Sequence, residues 1–241
     1  ISFSGSGETD SGLAYGGSFD AHNSVAANAG TSGSAFISGA FGKLAMGDLS
    51  GADQALVGQV AYVGLTSLGS NNEVAYQSGS HNVAYTYTAA GLSLGLSTDT
   101  VANAAVGGSS YALGASYTTD MSGTSLTVAA GTSSLQVANV TSTQNSASLA
   151  VSMNGLSSKV VYSKNNKGTA ADTTMTALGM SYTMGQIGVD AFYATSKTSG
   201  VTSKANGLGV SYDMGAGMSA KAGIVRAANR NYADFGVKMS F

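Results

Sequence analysis

Residues 112–118 read ALGASYT, residues 177–183 read ALGMSYT and residues 207–213 read GLGVSYD. In the first, Leu113, Ala115 and Tyr117 alternate with Gly114, Ser116 and Thr118; in the second, Leu178, Met180 and Tyr182 alternate with Gly179, Ser181 and Thr183. A side-chain period of two is that of a β-strand, whose successive residues point to opposite faces. Each strand therefore has a large apolar face and a small polar one. The same alternation runs through LAYGGSF (13–19), SSKVVYS (157–163) and IGVDAFY (187–193), so amphipathic strands are expected from end to end.

Short turn signals fall near Asp10, Gly42, Ala90, Ser122, Gly155, Gly185 and Gly215, at a regular spacing broken only between 42 and 90. That spacing, about 30 residues, holds two strands of roughly 9–11 residues, the length a tilted strand needs to cross a bilayer, with one short turn and one longer loop. Polar, glycine-bearing long loops are expected at 23–33, 102–110, 138–145, 166–174 and 196–204, on the rim opposite the short turns. The odd interval contains residues 49–80, and an extra-long loop in a regular array is usually functional. Tyr87, Tyr117, Tyr182 and Tyr212 each precede a short turn on the apolar face, and Phe241 ends the last strand in the same register. Amphipathic rings at such positions form a girdle at the edge of a membrane.

Composition excludes most other classes. Among 241 residues there are 34 Gly and no Pro, Trp or Cys, while 43% are apolar and 9% charged, with a net charge of −2. Disorder needs low hydrophobicity and high net charge, so the chain folds. No apolar run reaches the roughly 18 residues of a transmembrane helix. With no basic stripe to neutralise phosphates, no nucleic-acid partner is expected. His22 lies two residues from Asp20, but side chains two apart on a strand are spread by about 7 Å and there is no Gly-x-Ser-x-Gly elbow, so no catalysis is expected. His22 and His81 have no partner at zinc spacing.

The stretches ETDSGLAYGGSFDAH (8–22), FISGAFGKLAMGDLSGADQAL (36–56), YTYTAAGL (85–92), GLGVSYDMGAGMS (207–219) and ADFGVKMSF (233–241) resemble the general porins of alphaproteobacteria, the Rhodobacter type. The likeness covers the whole chain in the same order. It implies an all-β fold, a 16-stranded transmembrane antiparallel β-barrel of the bacterial outer membrane, with the third loop folded into the lumen. Residues 1–241 would be a single barrel domain, with 49–80 as its constriction loop. Only fifteen strands are readable, and the first and last run the same way, so one N-terminal strand is expected to be missing. The resemblance also implies a homotrimer, surrounding outer-membrane lipid and lipopolysaccharide, and recognition of the strand ending at Phe241 by the barrel assembly machinery.

Alternation places Asp20, His22, Lys159 with Ser157, Asp190, Asp213, Lys221, Asp234 and Lys238 on the inner face. In the resembled family, acids on the loop face bases on the wall. By position, Asp48, Asp53 and Glu73 would supply the acids, and Lys43, Lys159, Lys221, Lys238 and His22 the bases. Arg226 and Arg230 sit near the last long loop, so the transverse field is expected to be weak and selection to be mainly by size. No cofactor is expected beyond a weak calcium candidate at Asp48, Asp53 and Glu73, which lacks regular ligand spacing. Two other readings have distinguishing signs. A Gly/Ser-rich structural fibre or surface protein would show a constant short repeat without a long loop, and a solute-selective binding barrel would carry stacking aromatics on its loop, where this one has only Tyr62 and Tyr76.

Overall fold

The computed structural model describes residues 2–20, 32–77, 81–99, 108–137, 139–168 and 170–240. Its strands are β1 (Ser2–Glu8), β2 (Ala14–Asp20), β3 (Ser32–Gly39), β4 (Gly42–Leu49), β5 (His81–Ala89), β6 (Leu92–Thr98), β7 (Gly108–Met121) and β8 (Thr124–Val137). They continue with β9 (Val140–Met153), β10 (Leu156–Asn166), β11 (Thr173–Met184), β12 (Ile187–Thr198), β13 (Val201–Gly215), β14 (Met218–Ala227) and β15 (Arg230–Met239). A short helix, α1 (Ala52–Val57), and a 3-10 turn (Ser67–Gly69) lie between β4 and β5.

All 15 strands form one sheet in sequence order, each antiparallel to its neighbours. This up-and-down order is that of a barrel wall, and a long Gly/Ser fibre repeat would not contain the α1 segment. β1 and β15 run in the same direction, as the sequence implies, and no ladder joins them among the described residues. Turns form where expected. Ala90–Gly91, Ser122–Gly123, Asn154–Gly155 and Ala216–Gly217 each hold two residues at positive φ, for example 49° and 82° at Ala90 and Gly91. Two such residues make the hairpin turn whose twist matches that of the flanking strands.

Two expected long loops are corrected. Residues 138–145 and 196–204 are mostly strand: β8 and β9 pair up to Val137 and Val140, and β12 and β13 up to Thr198 and Val201. Their Thr, Ser and Val suit a pleated strand as well as a loop, and continued pairing satisfies the backbone. Several strands consequently reach 14 or 15 residues, beyond the expected span, and tight turns occur on both rims. A connection at 167–172 remains between β10 and β11, while the candidates at 23–33 and 102–110 fall largely outside the described residues.

The two faces separate cleanly: Ile224 is 60% exposed and its neighbour Val225 is 2% exposed. On the outer face Leu94, Leu113, Leu149, Leu178 and Leu208 are exposed. Tyr87, Tyr117, Tyr182 and Tyr212 are exposed on that face toward the short-turn rim, and the Tyr212 hydroxyl donates to Gln186 Oε1 at 3.0 Å. Phe241 lies outside the described residues. Among the described residues no helix is long and apolar enough to cross a membrane.

The opposite face is not uniformly small and polar. Val161, Phe192 and Val225 point to it and are buried against Val57, Val60, Val63, Leu68 and Val74 of the 50–77 segment. A two-residue period distinguishes faces without saying what covers them. Here a loop does, and each fully buried Val contributes about 1.5–3 kcal/mol.

Candidate functional site

Residues 50–77 lie along this inner face as a folded loop that runs out over the wall and returns. Its path follows glycines. Gly95, Gly114 and Gly131 are cross-strand partners on β6, β7 and β8. A Cβ on Gly95 would reach 3.0 Å from Leu56 Cδ1, and one on Gly131 would come within 2.6 Å of Asp53 Cβ; one on Gly114 would collide with the Ala52 carbonyl. This row is therefore a slot that admits α1 only because no side chain fills it.

Further along, a Cβ on Gly179 would meet Val60 Cβ at 2.7 Å, one on Gly209 would meet Gly64 N at 3.0 Å, and one on Gly223 would meet Gly64 Cα at 2.6 Å. Gly236 takes Leu65 in the same way, at 2.6 Å from its Cδ2. The central glycines of the three repeated stretches, Gly114, Gly179 and Gly209, all belong to this track.

Polar anchors hold the loop at its root, middle and tip. The Ala52 N–H donates to Ser97 Oγ at 2.8 Å, and Ser97 Oγ lies 3.1 Å from His81 Nδ1. Ser148 Oγ donates to the Val57 carbonyl at 2.9 Å, and Gln144 Nε2 donates to the Ala75 carbonyl at 2.7 Å. Between the two legs, Gln59 exchanges two hydrogen bonds with the Val74 backbone, at 2.7 and 2.9 Å, and Asn72 Nδ2 donates to the Val60 carbonyl at 2.8 Å. At the tip, Asp234 on β15 accepts from Leu65 N at 3.0 Å, from Thr66 N at 2.7 Å and from Thr66 Oγ1 at 2.7 Å. Irregular backbone inside a protein needs such partners, and these side chains supply them.

Asp48, Asp53 and Glu73 are not brought together. Asp48 is exposed on β4 beside a register shift, Asp53 is 2% exposed with its side chain against Gly131, and Glu73 is on the return leg. Among the described residues no three His, Cys, Asp or Glu side chains form a group able to hold a metal. Tyr62 donates a short hydrogen bond to Glu73, and that bond, with burial and the Glu73 charge adding, pushes the phenol up to about 12. Burial first, and the Asp53 charge second, raise the Tyr76 phenol above its ordinary range; its hydroxyl donates to the Gly58 carbonyl at 2.8 Å. Both loop tyrosines thus commit their hydroxyls to the loop itself.

The expected bases are spread round the wall. Lys43 stands 4.3 Å over the Phe36 ring on the inner face of β3 and β4, facing Ser18 and Ser34 across a cleft of about 490 Å³. A Cβ on Gly58 would reach 2.7 Å from Lys159 Nζ, so Lys159 meets the loop. Lys221 pairs in register with Gly236, and Lys238 with Ser219, both on the inner face. Asp190 accepts from Ser181 Oγ at 2.5 Å, and Asp213 accepts from Gly215 N at 2.8 Å. Asp20 is in register with Ser32 at the end of β2, and His22 lies outside the described residues. Sequence reasoning named Asp234 only as a lining residue and missed its clamp on Leu65 and Thr66, and it missed the glycine track. The recurring inward glycine of the repeats was the available signal.

A family profile described as Gram-negative porin matches residues 1–232. A porin of Rhodobacter capsulatus is 43% identical over 107 residues, covering 40% of this chain and 36% of that protein, so the match spans little more than a third of that relative. A solved porin structure is similar over 100% of this chain and 91% of its own, with a TM-score of 0.87 and 28% identity. A triple mutant of the Rhodopseudomonas blastica porin shares the fold over 100% of this chain and 89% of its own, with a TM-score of 0.72 at 20% identity.

Proposed function

The chain belongs to the Gram-negative porin family, and on that premise we propose that it is an outer-membrane channel through which small hydrophilic solutes and ions diffuse passively. It is a channel rather than an enzyme. The observation that carries the reading is the 50–77 loop, seated on inward glycines and clamped at its tip by Asp234; on this reading it is the constriction of the channel. Selection is mainly by size, since Asp53 is buried and the inner-face lysines are dispersed over β4, β10, β14 and β15. The commitment of Tyr62 and Tyr76 hydroxyls within the loop favours this general pore over a solute-selective binding barrel.

Assembly as a homotrimer is part of the same proposal. Cross-linking in native membranes should give a trimer. For the channel itself, purified protein with a heat-modifiable mobility should give stepwise, long-lived conductance in planar bilayers. A silent bilayer from such folded protein would overturn the reading.

A further inference from the structure

The chain has nine methionines, and the sheet divides them eight to one. Eight are exposed on the outer face, among the leucines and tyrosines described above. Met175 is the exception. It stands an odd number of positions from Met180 and Met184 on the same strand, β11, and so takes the opposite face. Its cross-strand partners are Ser163 on β10 and Ser196 on β12, and it packs against the buried cluster beneath the loop.

There the loop uses its sulfur. The Ala75 N–H donates to Met175 Sδ at 3.2 Å, while the Ala75 carbonyl accepts from Gln144 Nε2 at 2.7 Å. Both backbone groups of Ala75 are thus held by the wall, next to the buried Val74 of the return leg. A Leu or Ile at 175 would fill the space without accepting the N–H. An unbranched thioether does both, as a polarisable filler and a weak acceptor.

The sulfur is also within reach of water. Met175 lines a cavity of about 280 Å³ between loop and wall, with Ser70, Asn71 and Glu73 on one side and Ser196 and Ser203 on the other. Liquid water takes about 30 Å³ per molecule, so a polar space of this size holds several. Hydrogen peroxide, uncharged and little larger than water, enters wherever they do. The other methionines are separated from the loop by the sheet itself.

We propose that Met175 is a redox modification site, at which hydrogen peroxide admitted by the pore oxidises the thioether to a sulfoxide and thereby shifts the return leg of the loop. This rests on the channel reading above. The Sδ lone pair attacks one peroxide oxygen, so that an S–O bond forms as the O–O bond breaks. The proton on the transferred oxygen passes to the departing one, which leaves as water. Sulfur loses two electrons and the peroxide gains them. The product is polar, and its oxygen accepts hydrogen bonds more strongly than the sulfur did. With 3.2 Å between Ala75 N and Sδ there is no room for an oxygen between them, so the N–H must swing to follow it and take its backbone along.

The test records single channels of the folded chain in planar bilayers before and after millimolar hydrogen peroxide, with peptide mass spectrometry on the same samples. Native protein should gain one oxygen at Met175, about 16 Da, and move to a second current level. Met175→Leu should keep its own level through the same treatment, although the outward methionines oxidise in it as they do in the native protein. Met175→Gln, whose amide oxygen stands in for that of the sulfoxide, should show the second level without peroxide. An unoxidised Met175, or a current that changes equally in the native protein and the Leu variant, would overturn the proposal. Where the Leu variant does not fold, the Gln variant decides, and the native current level in it would overturn the proposal as well. A native protein that conducts nothing before peroxide would instead overturn the channel reading, so the two failures are separable.

Discussion

Substituting Gly223 by Ala tests whether the glycine track sets the position of the constriction. The new Cβ would stand 2.6 Å from both Cα and N of Gly64, and these are backbone atoms with no rotamer to yield. Gly64 must retreat by about 0.8 Å to restore ordinary contact, at an overpacking cost of about 1–3 kcal/mol. Leu65 and Thr66 follow directly, and their N–H groups, now 3.0 and 2.7 Å from Asp234 Oδ2, would be drawn toward the limit of hydrogen bonding. Ala disturbs nothing in the strand itself, because the ladder to Gly209 and Asp234 uses backbone groups. The expected result is a heat-modifiable barrel of normal yield whose single-channel conductance is lower and whose open-channel current is noisier, since the tip is lifted into the opening. Gly5→Ala is the control, because nothing lies within 4 Å of its Cβ position. Identical conductance and noise in the two variants would refute the seating role of Gly223. So would failure of the Gly223 variant to form a barrel, which would make the residue a requirement of the wall.

Asp234→Asn keeps the shape of the clamp but removes the charge that accepts three donors, a loss of about 1.5–3 kcal/mol confined to the loop tip. Current fluctuations should increase while the unfolding midpoint of the barrel stays put, and a quiet channel would argue against the clamp. The Tyr62 phenol should ionise near pH 12 by ultraviolet titration, and Glu73→Gln should bring it back toward 10. Because the folded value lies above the unfolded one, whatever stability this contact contributes is complete below about pH 10 and disappears as pH rises through about 12. Lys43→Glu reverses a charge in the open cleft of β1 to β4. The reversal potential in a salt gradient should move toward cation preference by roughly two- to fivefold in permeability ratio, the effect of about 0.5–1 kcal/mol in a watery pore. An unmoved potential would remove Lys43 from the conduction path.

Much of this was readable from residues alone. Leu113, Leu178 and Leu208 were assignable to one face because alternation is a local consequence of the pleat, and Ala90–Gly91 and Asn154–Gly155 were recognisable as turns from turn-forming residues at regular intervals. Residues 138–145 and 196–204 misled because Thr, Ser and Val serve strand and loop equally, and only the partner strand decides between them. Lys159 and Asp234 were assignable to the inner face for the same reason as the leucines. Their contacts with Gly58 and with Leu65 and Thr66 were not legible, since those partners are separated from them by about a hundred residues or more.

By itself the sequence determined an antiparallel array of amphipathic strands, an apolar face with a tyrosine girdle, and one long segment between β4 and β5, because strand period, turn chemistry and spacing are short-range properties. Only the tertiary structure decided where that segment lies. It put α1 into the slot of Gly95, Gly114 and Gly131, buried Val161, Phe192 and Val225 beneath the loop, turned Asp53 into the wall and placed Asp234 under the tip. Those outcomes depend on which strands stand opposite the loop, and distance across a sheet is not written into the distance along a chain.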